Sequence, residues 1–416
     1  MPASLPWRAR FARASLQLVS AAARVRGSSG TVIGAQVALR IDPSLVSNLA
    51  RGKTLVTVSA TNGKTTTTSL LRAALATRGP VVSNETGSNL ATGVATALAR
   101  SHAEVGALEV DEAALVGLLP QLRPAVVVLG NLSRDQLDRY GEVRMVAQRW
   151  RHMLDGFTGT VVANSQDPLV SWAAAESPHV VWVAPGLRWR ADANSCPACG
   201  NSIVWGETWA CSSCTLREPR AKWSLQHTTV DGPDGFSAPL SLTLPGEFNR
   251  GNAVLAAAAA HVMGIDPATA LRAMATVQDV AGRFAEVYLG GGATRLMLAK
   301  NPAGWTELLG IAVEASADLP MIVSINSRVA DGHDTSWLWD VPFETLVGHD
   351  VYATGDRRYD IALRLRYAGV RSVTVVESAH DARSAITQAG TRPDALVTFI
   401  GNYTAFADVA KQTAAI

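Results

Sequence analysis

The sequence predicts an α/β protein of two domains with a metal-binding insert. Three observations carry that expectation. Short continuous apolar runs alternate with helical stretches before and after a glycine triplet at 290–292; one strand runs directly into a Gly-Lys-Thr turn; and four cysteines stand as two tight pairs. The 416 residues suit two to three domains at about 150 residues each. With 48% hydrophobic and 17% charged residues, the chain is neither disordered nor fibrous. Lys plus Arg is 37 against Asp plus Glu 35, which gives no support to a protein held on nucleic acid by bulk charge. No run reaches the ~18 apolar residues of a membrane span.

Residues 1–48 are expected to form an N-terminal helical segment. Arg8, Arg10, Arg13, Arg24, Arg26 and Arg40 occur with no acid before Asp42, and Leu16–Ala23 is short and apolar. A secretory signal has a similar makeup. The downstream motifs need nucleotide and reduced thiols, so the expected setting is cytoplasmic, with an amphipathic helix packed on the first domain. A sharper reading is a basic face at the inner side of the plasma membrane.

Residues 49–289 are expected to form the first α/β domain. Thr54–Ser59 is β-branched and apolar, Thr65–Arg78 reads as a helix, and strands follow at Val105–Val110, Ala125–Leu129, Thr160–Ala163 and Val180–Val183. Continuous apolar strands of this kind suit a parallel sheet covered on both faces. An alanine-rich helix is expected at Gly251–Met263. Gly290-Gly291-Gly292 is the candidate linker to a second α/β domain at 290–416, with strands at Leu296–Ala299, Met321–Ile325, Val351–Thr354, Val373–Val376 and Leu396–Ile400.

Between the first strand and its helix lies Ser59-Ala60-Thr61-Asn62-Gly63-Lys64-Thr65-Thr66. Glycine lets the backbone turn close to an anion, and amides at a helix N-terminus face phosphates. Thr61, Asn62, Gly63, Lys64, Thr65 and Thr66 are therefore the candidate nucleotide contacts. Lys64 is suited to the β- and γ-phosphates of ATP, and the Thr65 hydroxyl to Mg²⁺. The usual loop has a glycine where Ala60 stands, so Ala60 needs a turn with negative φ or accepts strain.

These residues resemble a known family. Ala60–Thr66 is similar to the G-T-N-G-K-T-T loop of the Mur ligases and folylpolyglutamate synthases. Asn131-Leu132-Ser133-Arg134-Asp135-Gln136-Leu137-Asp138 resembles their N-x-x-x-D-H-x-D, with Gln136 in the histidine place. Pro245-Gly246-Glu247-Phe248-Asn249-Arg250-Gly251-Asn252-Ala253 resembles the nucleotide-binding P-G-x-[FHY]-N-x-x-N-A, and Gly282-Arg283-Phe284 through Glu286 the G-R-x-E region. The resemblance implies a P-loop-containing Mur ligase central domain with a smaller Rossmann-like C-terminal domain. It implies that a carboxylate is activated by ATP as an acyl phosphate and then attacked by an amine, with Asn249, Asn252 and Arg283 near the nucleotide. Such a site needs cations more than a general base. Glu109, at a predicted strand end, is the best carboxylate for Mg²⁺; the alternative is a solvated strand end. The family also carries a carbamylated lysine after its second motif, but 139–221 contains no lysine.

Cys196-Pro197-Ala198-Cys199 and Cys211-Ser212-Ser213-Cys214 give C-x2-C-x11-C-x2-C. Two such knuckles set four thiolates around Zn²⁺, and a site filled by four protein ligands is structural. A four-cysteine zinc-ribbon insertion is expected at about 190–222.

Only 53 residues precede the first strand, too few for the domain of about 100 residues with which Mur ligases bind soluble UDP-linked precursors. Leu298–Gly304 and Asn326–Asp340 resemble the MurT-type branch of the family, part of lipid II isoglutaminyl synthase. That resemblance implies amidation of the α-carboxyl of D-glutamate in the lipid II stem peptide to D-isoglutamine, with ammonia supplied by a GatD-type glutamine amidotransferase subunit. With all four cysteines in a zinc site, no thiolate is left to hydrolyse glutamine here. An aspartate of this branch is implied to complete the partner's catalytic pair; Asp334, Asp331 and Asp340 are the candidates, Asp334 first. The alternatives are a ligase adding an amino acid, or a nucleotide-bound scaffold without chemistry.

Overall fold

A computed structural model describes residues 5–25, 31–84, 88–134, 142–186, 189–278, 284–316 and 319–413. The described residues fall into two compact units, one within Met1–Ser133 and Glu142–Ala281, the other within Arg134–Gly141 and Gly282–Ile416.

The first unit opens with helices α1 (Trp7–Val25), α2 (Thr31–Ile41) and α3 (Leu45–Ala50). Ala9, Ala12 and Leu16 of α1 join Ala35 and Ala38 of α2 and Leu45 of α3 in the core. Small residues let α1 and α2 approach closely: a Cβ on Gly34 would lie 2.6 Å from Ser20 Oγ and 2.9 Å from the Leu16 carbonyl oxygen. The amphipathic N-terminal helix is thus present and packed.

Six parallel strands follow: β1 (Thr54–Ser59), β2 (Val81–Val82), β3 (Val105–Glu109), β4 (Val126–Leu129), β5 (Thr160–Asn164) and β6 (Val180–Ala184). Their alternation feeds two cores. Leu55 of β1 enters one, beneath α5 (Ala91–Arg100), α6 (Ala114–Leu122), α7 (Val143–Leu154) and α8 (Pro168–Ala174). Val56 and Val58 enter the other, beneath α4 (Lys64–Leu75), α9 (Glu247–Val262) and α10 (Pro267–Met274). Burial on both faces is why these strands read as unbroken apolar runs. A small hairpin, β7 (Ile203–Trp205) and β8 (Trp209–Cys211), carries the cysteine segment. Then β9 (Trp223–Gln226) joins β6 in parallel, and β10 (Thr229–Asp231) and β11 (Ser237–Pro239) extend the edge antiparallel, so the sheet is mixed.

The strand order is β11-β10-β9-β6-β5-β4-β1-β3-β2. β1 lies between β3 and β4, with Val58 level with Glu109 and with Val128. Chain direction across the sheet reverses at β1. The segments after β1, β3 and β4 therefore leave its carboxyl edge side by side, which is where open α/β sheets bind ligands.

The second unit is a sheet ordered β12-β13-β17-β14-β15-β16: β12 (Phe284–Leu289), β13 (Gly292–Leu298), β14 (Met321–Ser324), β15 (Val351–Thr354), β16 (Val373–Val375) and β17 (Val397–Gly401). Only β12 runs antiparallel to its neighbour. Helices α11 (Pro302–Ser316), α12 (Arg358–Tyr367) and α13 (Ala379–Gln388) lie between strands, and α14 (Tyr403–Thr413) follows β17. The glycine triplet expected as a linker belongs to the β12–β13 hairpin. Gly290 and Gly291 turn it with φ of 53° and 81°. Consecutive positive φ is what a two-residue hairpin turn requires, and composition alone does not separate such a turn from a linker.

Candidate active site

Ala60–Gly63 carries the chain from β1 into α4. Gly63 caps the helix with φ 82°, a conformation that favours glycine. Ala60 keeps negative φ: among described residues, only Arg123, His227 and Asp234 are non-glycines in the positive region. Its methyl lies against Gly130, where an added Cβ would come within 2.9 Å. The space opened by Gly130 thus accepts alanine where the usual loop has glycine.

The loop is strapped to the segment after β4. The Asn62 amide donates to Asn131 Oδ1 at 3.0 Å, and Asn131 Nδ2 returns a bond to the Asn62 carbonyl at 2.9 Å. The Thr61 amide donates to the Asn131 carbonyl at 2.8 Å, and Asn62 Nδ2 to Ser133 Oγ at 3.0 Å. Asp167, capping α8, holds the same segment through the Leu132 amide at 2.8 Å. Burial pushes its carboxyl up to about 6, against three backbone amide bonds that favour the charge.

Lys64 is buried and turns back over its own loop. Its Nζ donates to the carbonyls of Ala60 and Thr61 and to Glu112 Oε2 at 2.7 Å. Burial alone depresses such an ammonium; the charge and hydrogen bond of Glu112, helped by Glu109 and Asp111, reverse this and hold it above its ordinary value. Glu112 escapes sequence reasoning, since it lies outside any motif and arrives through the placement of β3 beside β1. Asp111 is raised by burial and by Glu112, while Lys64 and the amides of Ala114 and Ala113 oppose the shift.

Glu109 is only 3% exposed. Its backbone is clamped by Asn84, and Oε1 accepts a weak bond from Asn89 Nδ2 at 3.3 Å. Oε2 is buried and has no hydrogen-bond partner among the described residues. A buried carboxylate oxygen left without a partner is costly. This orphan oxygen and the buried Thr65 hydroxyl are hard donors of the type Mg²⁺ takes, so the residues fit that ion.

Asn249 and Asn252 open α9. Asn249 Nδ2 donates to the Pro245 carbonyl at 2.6 Å, and Asn252 Nδ2 to Asn249 Oδ1 at 3.4 Å. A Cβ on Gly63 would lie 2.5 Å from Asn252 Oδ1, so the loop and α9 touch at that glycine. The structure therefore brings together Thr61, Asn62, Gly63, Lys64, Thr65, Thr66, Asn249 and Asn252. Arg283, Asp135, Gln136 and Asp138 lie outside the described residues.

The four cysteines form a separate group. Their sulfurs all lie within 4.8 Å of one another, with Cys196 facing Cys214 at 3.6 Å and Cys199 facing Cys211 at 3.5 Å. Backbone amides of Ser213 and Cys214 donate to Cys211 Sγ, and Asn201 Nδ2 to Cys199 Sγ. Hydrogen bonds from Asn201 lower the Cys199 thiol to about 6. Four clustered soft donors suit Zn²⁺. Beneath them Ile203 and Trp209 are buried with Cys196, and Trp209 Nε1 donates to the Ser165 carbonyl at 2.9 Å.

The three aspartates of the second unit do different things. Asp331 accepts from the Thr404 amide at 2.9 Å and from the Thr404 hydroxyl, so it caps α14. Asp340 pairs with Arg134 of the same unit at 3.1 Å. Asp334 is exposed and, among the described residues, accepts from the amide and hydroxyl of Ser336, at 2.8 and 2.9 Å, which hold its carboxyl below the ordinary range.

A mixed sheet whose parallel strands meet, at the switch point, a Gly-Lys-Thr loop, a buried carboxylate and two asparagines has the form of a nucleotide-binding α/β protein. Residues 58–260 match the Mur ligase middle domain, and residues 298–406 the MurT ligase C-terminal domain. The chain belongs to the Mur ligase family, in its MurT branch. It is 28% identical to the lipid II isoglutaminyl synthase (glutamine-hydrolyzing) subunit MurT of Streptococcus pneumoniae, over 84% of this chain and 85% of that one. Against the same subunit of Staphylococcus aureus it is 27% identical over 87% and 88%. Among solved structures, a pseudomurein peptide ligase type C from Methanothermus fervidus superposes with a TM-score of 0.66 at 19% identity, covering 87% of this chain and 78% of that one. A folylpolyglutamate synthase of Mycobacterium tuberculosis, complexed with ADP and AMPPCP, gives 0.62 at 16% identity, covering 88% and 92%.

Proposed function

We propose that the chain is the ATP-using amidating subunit of a lipid II isoglutaminyl synthase. It converts the α-carboxyl of D-glutamate in the lipid II stem to the amide, with ammonia from a GatD-type glutaminase partner. The observation that carries the chemistry is the buried site at the switch point: Lys64 at the head of α4 and the orphan Oε2 of Glu109. The relatives carry the substrate class, since their similarity spans both units.

In this reading the amides of Asn62–Thr66 receive the triphosphate, and Lys64 exchanges Glu112 for phosphate oxygens. Asn252 braces Gly63 against the loop. Thr65 and Glu109 hold Mg²⁺, which supplies charge neutralisation when bound. An acceptor carboxylate oxygen attacks the γ-phosphorus and ADP leaves, giving an acyl phosphate. Ammonia then attacks the acyl carbon, inorganic phosphate leaves, and the nitrogen loses one proton. Asp334 is the aspartate assigned to the partner's catalytic pair: it is exposed and bonded to its near neighbour Ser336, whereas Asp331 is tied to the distant Thr404 and Asp340 to Arg134. Cys196, Cys199, Cys211 and Cys214 hold a structural Zn²⁺.

The test is oxygen transfer. With the partner, glutamine, ATP and an acceptor labelled with ¹⁸O in the α-carboxyl, one label should appear in inorganic phosphate for each amide formed. Unlabelled phosphate would remove the acyl phosphate. A product carrying an added amino acid would turn the reading toward an amino-acid-adding ligase, and ATP turnover indifferent to acceptor toward a scaffold.

A further inference from the structure

Helix α1 has two opposed apolar faces, and only one is used inside the protein. Ala9, Ala12 and Leu16 are fully buried against α2 and the core. Trp7, Phe11 and Leu18 are 71%, 61% and 71% exposed. Positions 7, 11 and 18 recur at i, i+4 and i+11, so they share one stripe, with the small Ala14 between them. Exposed Arg8 and Arg10 flank that stripe on either side. Arg13 is turned inward and donates from Nε to the Ala99 carbonyl at 2.9 Å.

The inner face fixes which way the outer one points. Gly34 admits α2 against Leu16 and Ser20 so closely that no side chain fits there. The helix therefore cannot roll to hide Trp7, Phe11 and Leu18 without unpacking the buried alanines. A lone exposed aliphatic is ordinary, but a tryptophan, a phenylalanine and a leucine on one helix stripe, bordered by arginines, are the pattern of a helix lying in a membrane interface. No acid occurs from residue 1 to residue 41, so no carboxylate within this segment weakens its attraction to an anionic surface.

We propose that the outer face of α1 seats on the surface of an anionic bilayer, with Trp7, Phe11 and Leu18 in the headgroup–acyl boundary and Arg8 and Arg10 among the headgroups. The occupant is the lipid surface itself. The seat rests on the geometry of α1 and is independent of the acceptor assigned above. It would hold the protein where lipid-borne substrates lie.

The experiment is cosedimentation of the full chain with vesicles of phosphatidylcholine, with and without a third of phosphatidylglycerol. The anionic vesicles should bind at least tenfold more strongly, since each arginine near such a surface is worth roughly fivefold. The variant Trp7→Ser/Phe11→Ser/Leu18→Ser should lose at least tenfold, and Arg8→Gln/Arg10→Gln should bind anionic vesicles no better than neutral ones. These side chains are exposed, so melting temperature and ATP turnover on a water-soluble acceptor should stay at wild-type levels. Wild type that ignores anionic vesicles would overturn the proposal. So would a triple-serine variant that binds as before, or a stripe whose loss merely converts a dimer to a monomer. Lost amidation with intact vesicle binding would count against the proposed reaction and leave this seat standing.

Discussion

At the scale of single residues, the pair Lys64–Glu112 decides how the site waits for its ligand. Both side chains are largely buried, at 10% and 15% exposure, and their 2.7 Å contact compensates the lysine's desolvation. Glu112→Gln keeps a polar group of nearly the same shape and removes the charge. Breaking a fully buried pair costs about 3–5 kcal/mol, so this partly exposed one should cost about 1–3 kcal/mol. Phosphate oxygens offer the lysine the same compensation. Saturating Mg²⁺ with a nonhydrolysable ATP analogue should therefore close most of the melting-temperature gap between variant and wild type. A gap that persists unchanged with nucleotide would make Glu112 a fixed structural anchor. The sequence shows Lys64 plainly, because Gly63, Lys64 and Thr65 are neighbours along the chain. It hides Glu112, because that contact exists only once β3 pairs with β1. It also misleads at Asp331, which looks as available as Asp334 until Thr404 arrives from a distant helix to take both its oxygens.

At the scale of elements, periodicity and punctuation carried most of the architecture. The strands after Thr54, Val105, Ala125, Thr160 and Val180 announce themselves because burial on both faces leaves no polar alternation. The two-residue β2 and the short edge strands β9–β11 do not, being too brief for a period to register. The cysteine hairpin is a third kind of element, legible through spacing alone. Its apolar support is slight, essentially Ile203 and Trp209 beneath Cys196, which is little for a segment of this length to fold upon. A tetrahedral ion would supply the missing cohesion. Purified protein should carry about one Zn per chain. Its removal by a strong chelator should increase amide exchange across β7 and β8 and shift Trp209 emission, while the loop at Asn62–Thr66 stays protected. Metal-free protein with an equally protected hairpin would refute the zinc assignment.

At the scale of the whole molecule, the distribution of chemistry argues for a shared task. The chain has four cysteines, and all four sit in one cluster with sulfurs within 4.8 Å. Glutamine hydrolysis of the common kind needs a thiolate free to attack the side-chain amide, beside a histidine. A thiolate bound to zinc as one of four ligands is not free in that sense. The activating half of the proposed reaction, by contrast, has its described groups here: loop amides, Lys64, Thr65, Glu109, Asn249 and Asn252 all belong to the first unit. Ammonia delivered from solution should thus replace the partner. The isolated chain given ATP, acceptor and glutamine should form no amide. The same chain given concentrated ammonium chloride, at a pH near 9 where much of it is free ammonia, should form D-isoglutamine at a measurable rate. Lys64→Ala should abolish that rate by mass spectrometry of the product. Amide formation from glutamine by the isolated chain would mean that a nucleophile outside the cysteine cluster, or a thiol released from it, performs the hydrolysis, and the division of labour inferred from the cysteine count would fall.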